Sequence, residues 1–446
     1  MKTHTMHIGL DDTDSTRGGC TTYVAALLVE KLEKLGAKFL DYPNLIRLNP
    51  NVPWKTRGNG ALCLRIKYDE GLEDQIKEAA ISLVEEHADL NFKGTDPGIV
   101  FLTKAEVPEE VTAFAKNAIT GIVTLKEAMR LIEKFEGEAL GFNTCRGIIG
   151  ALAAIGETLQ GDHTFELIAY RVAENCGLKR KVDETSIFKM DELTRPYTFN
   201  NVDVEKVRVI ITPRGPDPIL FGIRGETPEI VRKAFGIVKP LEPVERWVIF
   251  RTNQGTDAHL RQVHALNQIK PYNSVIVKGV VSQNPRIIPL RHVIFSIKDA
   301  SGEVDCAAYE PTGALRKVAV KLAIGDSIEA CGAVRKPSRD KPLTVNLEKL
   351  RVFALAPKVN YRNPLCPKCG RRLKSMGKNQ GLRCENCGSK FAGLGKVAVA
   401  VNRELKTGLY VTSTRSQRHL TKPIRRYGLE KCCWTAIGLI EGWHSS

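Results

Sequence analysis

Three carboxylates within four residues, Asp11, Asp12 and Asp14, follow an apolar stretch that ends in Gly9-Leu10. Crowded on one tight turn, they repel one another unless a hard cation lies among them, and magnesium carrying a polyphosphate meets that need. Behind them Arg17-Gly18-Gly19-Cys20-Thr21-Thr22 leads into a helical stretch. Gly18 and Gly19 let the backbone and a helix N-terminus approach phosphate oxygens, while Thr21 or Thr22 supplies a hydroxyl. The same residues also suit an acidic turn that only caps a helix. No Gly-x-x-x-x-Gly-Lys-[Ser/Thr] pattern competes for a nucleotide.

A second constellation lies far downstream. Cys366-Pro367-Lys368-Cys369 and Cys384-Glu385-Asn386-Cys387 are separated by fourteen residues, and Gly370 and Gly388 follow the two pairs. Two such turns aim four thiolates at one centre, and a closed set of soft sulfur ligands suits structural zinc with no position left for a reacting water. The other reading is a pair of free-thiol turns. Two positive charges against four thiolates leave a formal −2 at the site. Lys368, Arg371, Arg372, Lys374, Lys378 and Arg383 therefore serve charge balance as well as any polyanion.

The formal net charge is +16, and between Arg351 and Lys431 the chain carries 19 Lys and Arg against the three acids Glu385, Glu404 and Glu430. That excess of 16 equals the excess of the whole chain, so the remainder is formally neutral. A segment charged in this way attracts nucleic acid by neutralising phosphates and releasing counterions; the alternative is a solvated basic surface that serves solubility.

The elements that position these groups read as α/β at the start: a strand into the acidic turn, a helix over Thr21–Leu28, strands at Leu45–Leu48 and Ala61–Lys67, a polar helix over Leu72–Glu86, and a strand at Ile99–Leu102 after the turn Gly94–Gly98. From Gly141 a second unit reads as a helix over Gly147–Ile155, a strand over Phe165–Arg171, strands near Val207–Ile211 and Ile219–Ile223, a helix over Pro228–Phe235 and a strand over Trp247–Phe250. That order suggests a ferredoxin-like layer. Polar loops at 141–147, 198–203, 213–217 and 251–257 could build a pocket, or could be ordinary turn chemistry. After Pro271 come five closely spaced strands, Ser274–Val281, His292–Lys298, Glu303–Tyr309, Ser327–Val334 and Leu343–Val352, with a helical interruption near Thr312–Lys321. They fit an oligonucleotide-binding (OB) barrel, or else an unrelated small β-sandwich.

At 446 residues the chain is too long for one ordinary core, since domains run about 100–200 residues. The fold class expected is multidomain α+β: an α/β domain over 1–138, a ferredoxin-like domain over 139–265, an OB-fold over 266–356 and a zinc ribbon with a basic segment over 357–446. No apolar run approaches the ~18 residues that cross a bilayer, and the first residues do not read as an export signal. The expected location is the cytoplasm, without a membrane and without an obligate protein partner. Twelve cysteines are too sparse for a disulfide scaffold, and the eight outside the metal spacing, Cys432-Cys433 included, read as small buried residues. His7, His259 and His292 read as structural or surface groups.

Ile8-Gly9-Leu10-Asp11-Asp12-Thr13-Asp14 with Gly19-Cys20-Thr21-Thr22, then Gly147–Gly156, Phe199-Asn200-Asn201, Pro218–Gly225 and Arg251–Asp257, ahead of a barrel and a Cys-x-x-Cys ribbon, resemble the archaeal 2-agmatinylcytidine synthetases of isoleucine tRNA. The resemblance runs in order along nearly the whole chain. It implies replacement of the 2-oxo oxygen of the wobble cytidine in a CAU anticodon by agmatine, at the expense of ATP, so that the tRNA reads AUA. In that family a kinase-like domain phosphorylates the cytosine oxygen and one of its own threonines, agmatine displaces the phosphate, and ATP ends as AMP. By motif matching the threonine would be Thr21. Asp11, Asp12 and Asp14 would hold magnesium, with Lys55, Arg57 and Arg214 neutralising phosphate charge. Asp203, Asp217 and Asp257 are the candidates for dicationic agmatine. The ribbon cations named above, with Arg425 and Arg426, would meet tRNA. Two other classes fit part of the chain: a non-catalytic RNA-binding protein built on the barrel and ribbon, and an RNA ligase-type nucleotidyl-transfer enzyme, which would need a nucleophilic lysine.

Overall fold

The computed structural model describes residues 2–339, 341–432 and 438–445. Cys433 and Trp434 lie outside them. The first strand, β1 (Thr3–Asp11), alternates Met6, Ile8 and Leu10 with His7 and Gly9, so each face carries its own chemistry. Met6, Ile8 and Leu10 join the core under α1 (Thr21–Lys34) and α2 (Glu73–His87). The opposite face meets a second core. Strands β2 (Asn44–Arg47), β3 (Gly60–Asp69) and β4 (Gly98–Leu102) complete the strands read from the sequence in this region. The sequence reading leaves 103–138 without an element, yet the structure has α3 (Glu109–Thr120) and α4 (Leu125–Lys134) there. Their signals are local: acidic Glu109-Glu110 after Pro108, and a capping box between Thr124 and Glu127.

After β5 (Glu138–Gly141) comes α5 (Gly147–Gly156), a helix of small and aliphatic residues that packs on β1 and β4, strands of the first unit, although the sequence assigns it to the second. The approach is very close. A Cβ on Gly9 would stand 2.2 Å from the carbonyl oxygen of Ala151, and one on Gly98 would stand 2.1 Å from the nitrogen of Ile148. The second unit adds β6 (Thr164–Arg171), α6 (Glu184–Thr194), β7 (Ile219–Gly225), α7 (Pro228–Phe235) and β8 (Val244–Thr252). Both units share one ten-stranded sheet in the order β5-β4-β1-β3-β2-β8-β6-β7, extended by Thr198–Phe199 and with Lys38–Phe39 beside β3. The seam is the parallel pair of β2 with β8, where Arg251 faces Asn44.

The five strands expected next are present as β9 (Ser274–Ile288), β10 (His292–Lys298), β11 (Glu303–Ala308), β12 (Ser327–Arg335) and β13 (Thr344–Ala354), with the helix α8 (Ala314–Ala319) between β11 and β12. β9 pairs with both β10 and β12, which closes the ring β9-β10-β11-β13-β12 around its own core. β14 (Val359–Arg362) and β15 (Val397–Ala400) then pair as a stalk below the ribbon.

The chain does not end in a free basic tail. Gly408–Val411 adds to β13, and the segment beyond it returns to the first two units as a strap. Trp443 packs on Phe39 and Tyr42, and Ser445 bonds Trp247. The cations on this strap are engaged internally: Arg415 with Asp203, Arg418 with Glu348, Lys422 with Asp162 and Glu430, Arg425 with Asp191, and Lys431 with Glu226. Arg426, expected to meet tRNA, has no exposed side chain and forks between Asp162 (2.8 Å) and Glu226 (2.6 Å). Arg425 is likewise held at 2.9 Å by a buried partner. The expectation for Arg426 is corrected: it braces the fold, because acids from distant segments reach it, whereas Arg425 keeps a part of its side chain exposed.

Gly9→Ala places a methyl against backbone that cannot swing aside, and is expected to cost about 1–3 kcal/mol. A lower thermal unfolding midpoint is the readout; an unchanged midpoint would mean that α5 has room to retreat. Arg426→Met leaves Asp162 and Glu226 with only Lys422 and Lys431 as counter-ions, at an expected cost of about 3 kcal/mol. Denaturant unfolding that matches the parent would show that the network relaxes freely.

Candidate active site

Asp11 is the last residue of β1 and points to the α5 face, where a Cβ on Gly150 would lie 1.8 Å from its Oδ2. Asp12 adopts a left-handed φ of 60°, which turns the chain sharply; its N–H donates to Asp11 Oδ1 at 2.8 Å. The Asp96 N–H donates to Asp12 Oδ2 at 3.0 Å, and the Thr56 hydroxyl donates to Oδ1 at 3.3 Å. Asp14 pairs with Arg57 at 2.8 Å. Burial, and then Asp12, push the Asp11 carboxyl well above its usual range; burial together with Asp14 and Asp96 raises Asp12 to about 7. Such crowding resists ionisation, and a divalent cation among hard oxygen donors would relieve it, so the donor set fits magnesium.

This turn forms one wall of a cavity of about 580 Å3 between the two units. Thr21 and Thr22 at the start of α1 and Gly147 at the start of α5 open two helix N-termini onto it, an arrangement that favours anions. Thr21 Oγ1 accepts from the Thr13 hydroxyl at 3.1 Å. Lys55, Arg57 and Trp54 line the cavity from the loop before β3, and the Arg146 guanidinium lies 5.4 Å from the Trp54 ring. The far wall comes from the second unit: Glu166 and Ile168 of β6, Asn200, Pro213, Asp217 and Arg224. Three of the four polar loops therefore reach the cavity. The fourth, 251–257, supports it from behind through Asn253, which bonds the Arg47 backbone, and Gln254, which bonds Glu166.

Most of the remaining expected site residues lie elsewhere. Gly18 and Gly19 face a separate recess with Tyr23 and His87, although the Gly19 carbonyl accepts from Arg57 at 2.7 Å. Arg214 is exposed and does not line the cavity. Asp203 is held by Arg415, and Asp257 by Lys349 and the Lys422 N–H; neither faces the cavity. Asp217 does face it, 5% exposed, but is shared between Arg57 (3.1 Å) and Arg180 (3.0 Å). Sequence reasoning missed Arg47, Glu166, Arg224 and His419. A lone Glu inside the apolar strand β6 is a signal that could have been weighed; His419 sits in an irregular polar stretch and has none.

The four cysteine sulfurs Cys366, Cys369, Cys384 and Cys387 lie within 4.8 Å of one another. Gly370 and Gly388, with left-handed φ of 71° and 70°, donate to the Cys366 and Cys384 carbonyls at 2.8 and 3.0 Å and close the two turns. Lys368, Arg371, Arg372, Lys374, Lys378 and Arg383 are all exposed on the ribbon; Arg372 also donates to the Asn363 carbonyl at 2.7 Å, and Lys374 pairs with Glu385. Cys20, Cys63, Cys306 and Cys331 are buried as expected, whereas Cys432 is exposed. His7 and His259 are buried structural groups, bonded to Arg65 and Glu348. Among the described residues no helix is long and apolar enough to cross a membrane.

Three family models match this chain: the TiaS TCKD domain over residues 7–144, the TiaS FLD domain over 145–259 and the TiaS C-terminal zinc ribbon domain over 363–405. They take in the acidic turn, the far wall of the cavity and the four cysteines respectively. The chain is 44% identical over 425 residues to the isoleucine-tRNA 2-agmatinylcytidine synthetase TiaS of Methanocaldococcus jannaschii, covering 94% of this chain and 98% of that protein. It is 42% identical to that of Archaeoglobus fulgidus, over 95% and 98%. Among solved structures, a complex of TiaS with its isoleucine tRNA and ATP superposes with a TM-score of 0.86 at 41% identity, covering 95% of this chain and 97% of that one. A complex of TiaS with the same tRNA, AMPCPP and agmatine gives 0.83 at 38%, with the same coverage. Likeness that runs the length of the chain, through cavity and ribbon alike, makes this protein a member of the TiaS family of isoleucine-tRNA 2-agmatinylcytidine synthetases.

Proposed function

We propose that this protein is an ATP-dependent ligase that conjugates agmatine to C2 of the wobble cytidine in isoleucine tRNA with a CAU anticodon. The observation that carries the reading is a single cavity holding an acidic turn, a threonine at a helix start and a polar far wall, in a chain that matches relatives of that activity from end to end. The exocyclic carbonyl oxygen at C2 is a poor leaving group, and phosphoryl transfer to it lets the amine nitrogen of agmatine attack C2 and give up a proton while inorganic phosphate departs with the original oxygen. Magnesium held by Asp11, Asp12 and Asp14 would neutralise polyphosphate charge. Thr21 is the candidate phosphoacceptor, supported by its place on the cavity wall. Lys55 adds an exposed cation on the lining, whereas Arg57 is tied to Asp14 and Asp217 and orients both. Asp217 is the best supported of the three agmatine candidates, being the one on the cavity. The wobble base must leave the anticodon stack to enter, and exposed Trp54 at the rim offers a face to stack against.

We read the N-terminal part, residues 1–138, as the kinase-like unit, 139–265 as ferredoxin-like, 266–356 as an OB barrel and 357–446 as ribbon and strap. Support for the OB reading is the ring order first-second-third-fifth-fourth, with β11 and β13 parallel and a helix between the third and fourth strands. Barrel and ribbon grip the tRNA body through its backbone, with zinc fixing the ribbon's shape. The cytoplasm is where this substrate would be met. A binding-only protein has no use for the buried acidic turn. An RNA ligase would need its nucleophile in the cavity, where the one lining lysine among the described residues, Lys55, lies in an exposed loop.

Incubation with tRNA, ATP and labelled agmatine, followed by nucleoside mass analysis, is expected to yield agmatine-bearing cytidine; tRNA binding without any ATP consumption would instead mark a binding module. Asp12→Asn is expected to abolish ATP consumption while tRNA affinity stays within a few-fold, and undiminished turnover would reject the metal role. Replacing Lys368, Arg371 and Lys378 together with Ala should flatten the salt dependence of tRNA binding by up to ~0.7–0.9 log unit for each phosphate no longer neutralised. An unaltered slope would place the RNA surface elsewhere.

A further inference from the structure

Among the described residues, one guanidinium on the cavity has no ion pair. Arg47 ends β2, and its backbone is fixed on both sides by Asn253, at 2.8 and 3.0 Å. Its side chain passes over Gly58 and Gly60, where an added Cβ would stand 2.8 and 2.9 Å from Nη1. The other arginines on the cavity are engaged: Arg57 by Asp14 and Asp217, Arg146 by Asp96, and Arg224 by Glu166. The Nε of Arg47 is buried with no hydrogen-bond partner among the described residues. Burial lowers its pKa to about 10, so it is cationic at neutral pH.

A second nitrogen faces the same spot from the far end of the chain. A Cβ on Gly58 would stand 3.2 Å from His419 Nε2. His419 belongs to the strap, and its backbone carbonyl accepts from the Gly255 N–H at 2.8 Å. Burial, and then Arg47 and Arg224, hold its imidazole well below the ordinary range, so the ring is neutral. Nδ1 lies 3.0 Å from Arg224 Nη2 and 3.0 Å from Gln254 Oε1. When Nδ1 accepts from Arg224, Nε2 carries the proton and presents an N–H beside Arg47. An anionic oxygen at the spot selects that tautomer.

We propose that the niche floored by Gly58 receives an anionic phosphoryl oxygen of the reacting centre, held by the Arg47 guanidinium and the His419 N–H, so that the C-terminal strap completes the active site. The inference rests on the agmatine-conjugating reading above. Agmatine itself is excluded from the niche, since a dication would meet Arg47 and Arg224 there. The phosphoryl oxygen could belong to bound ATP or to the phosphate carried by the cytosine oxygen.

The test compares the full chain with Gly58→Ala, Arg47→Gln, Arg47→Lys and His419→Ala in steady-state agmatine incorporation and ATP consumption, alongside tRNA affinity and thermal unfolding. Removing a preorganised donor of this kind is expected to lower kcat about 100-fold or more, with tRNA affinity unchanged and Arg47→Lys partly active. A rise of about tenfold in KM for ATP would assign the oxygen to the nucleotide, and a fall in kcat at unchanged KM would assign it to the phosphorylated base. Gly58→Ala removes no polar group; its methyl takes the niche and, at 2.8 Å from Nη1, displaces the Arg47 guanidinium, so its result stands even where Arg47→Gln does not fold. Turnover and KM for ATP within about threefold of the parent in Gly58→Ala would overturn the niche. Absence of agmatine incorporation by the unsubstituted chain would remove the underlying reading, and the niche with it.

Discussion

Asp11 can aim along the cavity wall only because position 150 carries no side chain. That one approach sets much of the rest. For α5 to lie flat on the sheet, Gly9 must meet Ala151 and Gly98 must meet Gly147 backbone to backbone. The helix then brings its N-terminus and Arg146 beside Asp96, and Asp96 in turn donates its N–H to Asp12. A close helix–sheet approach is thus the physical cause of a carboxylate cluster that no exposed turn would hold so tightly. The electrostatic cost appears as the raised pKa values of Asp11 and Asp12, and it is what a divalent cation would relieve.

The cavity is divided by charge as well as by chain. Asp11, Asp12 and Asp14 gather in one turn, while Arg47 and Arg224 stand with the neutral His419 around another part of the lining. The carboxylates attract cations, a phosphate-bearing magnesium among them, while Arg47 offers a phosphoryl oxygen a contact that needs no metal. The parallel pairing of β2 with β8 makes this possible, because it joins the two units into one sheet with the Arg47 backbone bonded to the Asn253 side chain.

How much of this was legible in the sequence depends on how local each signal is. The acidic turn and the cysteine pairs are contiguous, so spacing alone identified them, and the alternating strands of the barrel announced themselves in the same way. α3 and α4 carry only short local signals, such as the Thr124–Glu127 box at the start of α4. Arg47, Glu166, Arg224 and His419 come from four distant segments, and nothing near any of them indicates the others. The basic segment shows the same limit from the other side. Its charge count was readable, but the acids that neutralise Arg425 and Arg426, namely Asp191, Asp162 and Glu226, lie far upstream in the second unit. Exposed ribbon cations such as Lys368, Arg371 and Lys378 stand outside that network.

The strap also joins the barrel to the cavity without a flexible tether. Glu348 of the barrel is buried against His259; burial alone would raise its pKa, but His259, Arg418 and Thr421 hold it down to about 2. Because its folded pKa is depressed, this carboxylate contributes stability that is fully present above the ordinary Glu range and is lost as pH falls through about 2. Arg418 and Thr421 flank His419, so the residues that clamp the strap to the barrel also fix the imidazole at the cavity. Any displacement of the barrel relative to the sheet would strain this clamp and move His419 with it. Barrel and cavity are therefore joined through a few buried polar groups, and not through the length of a linker.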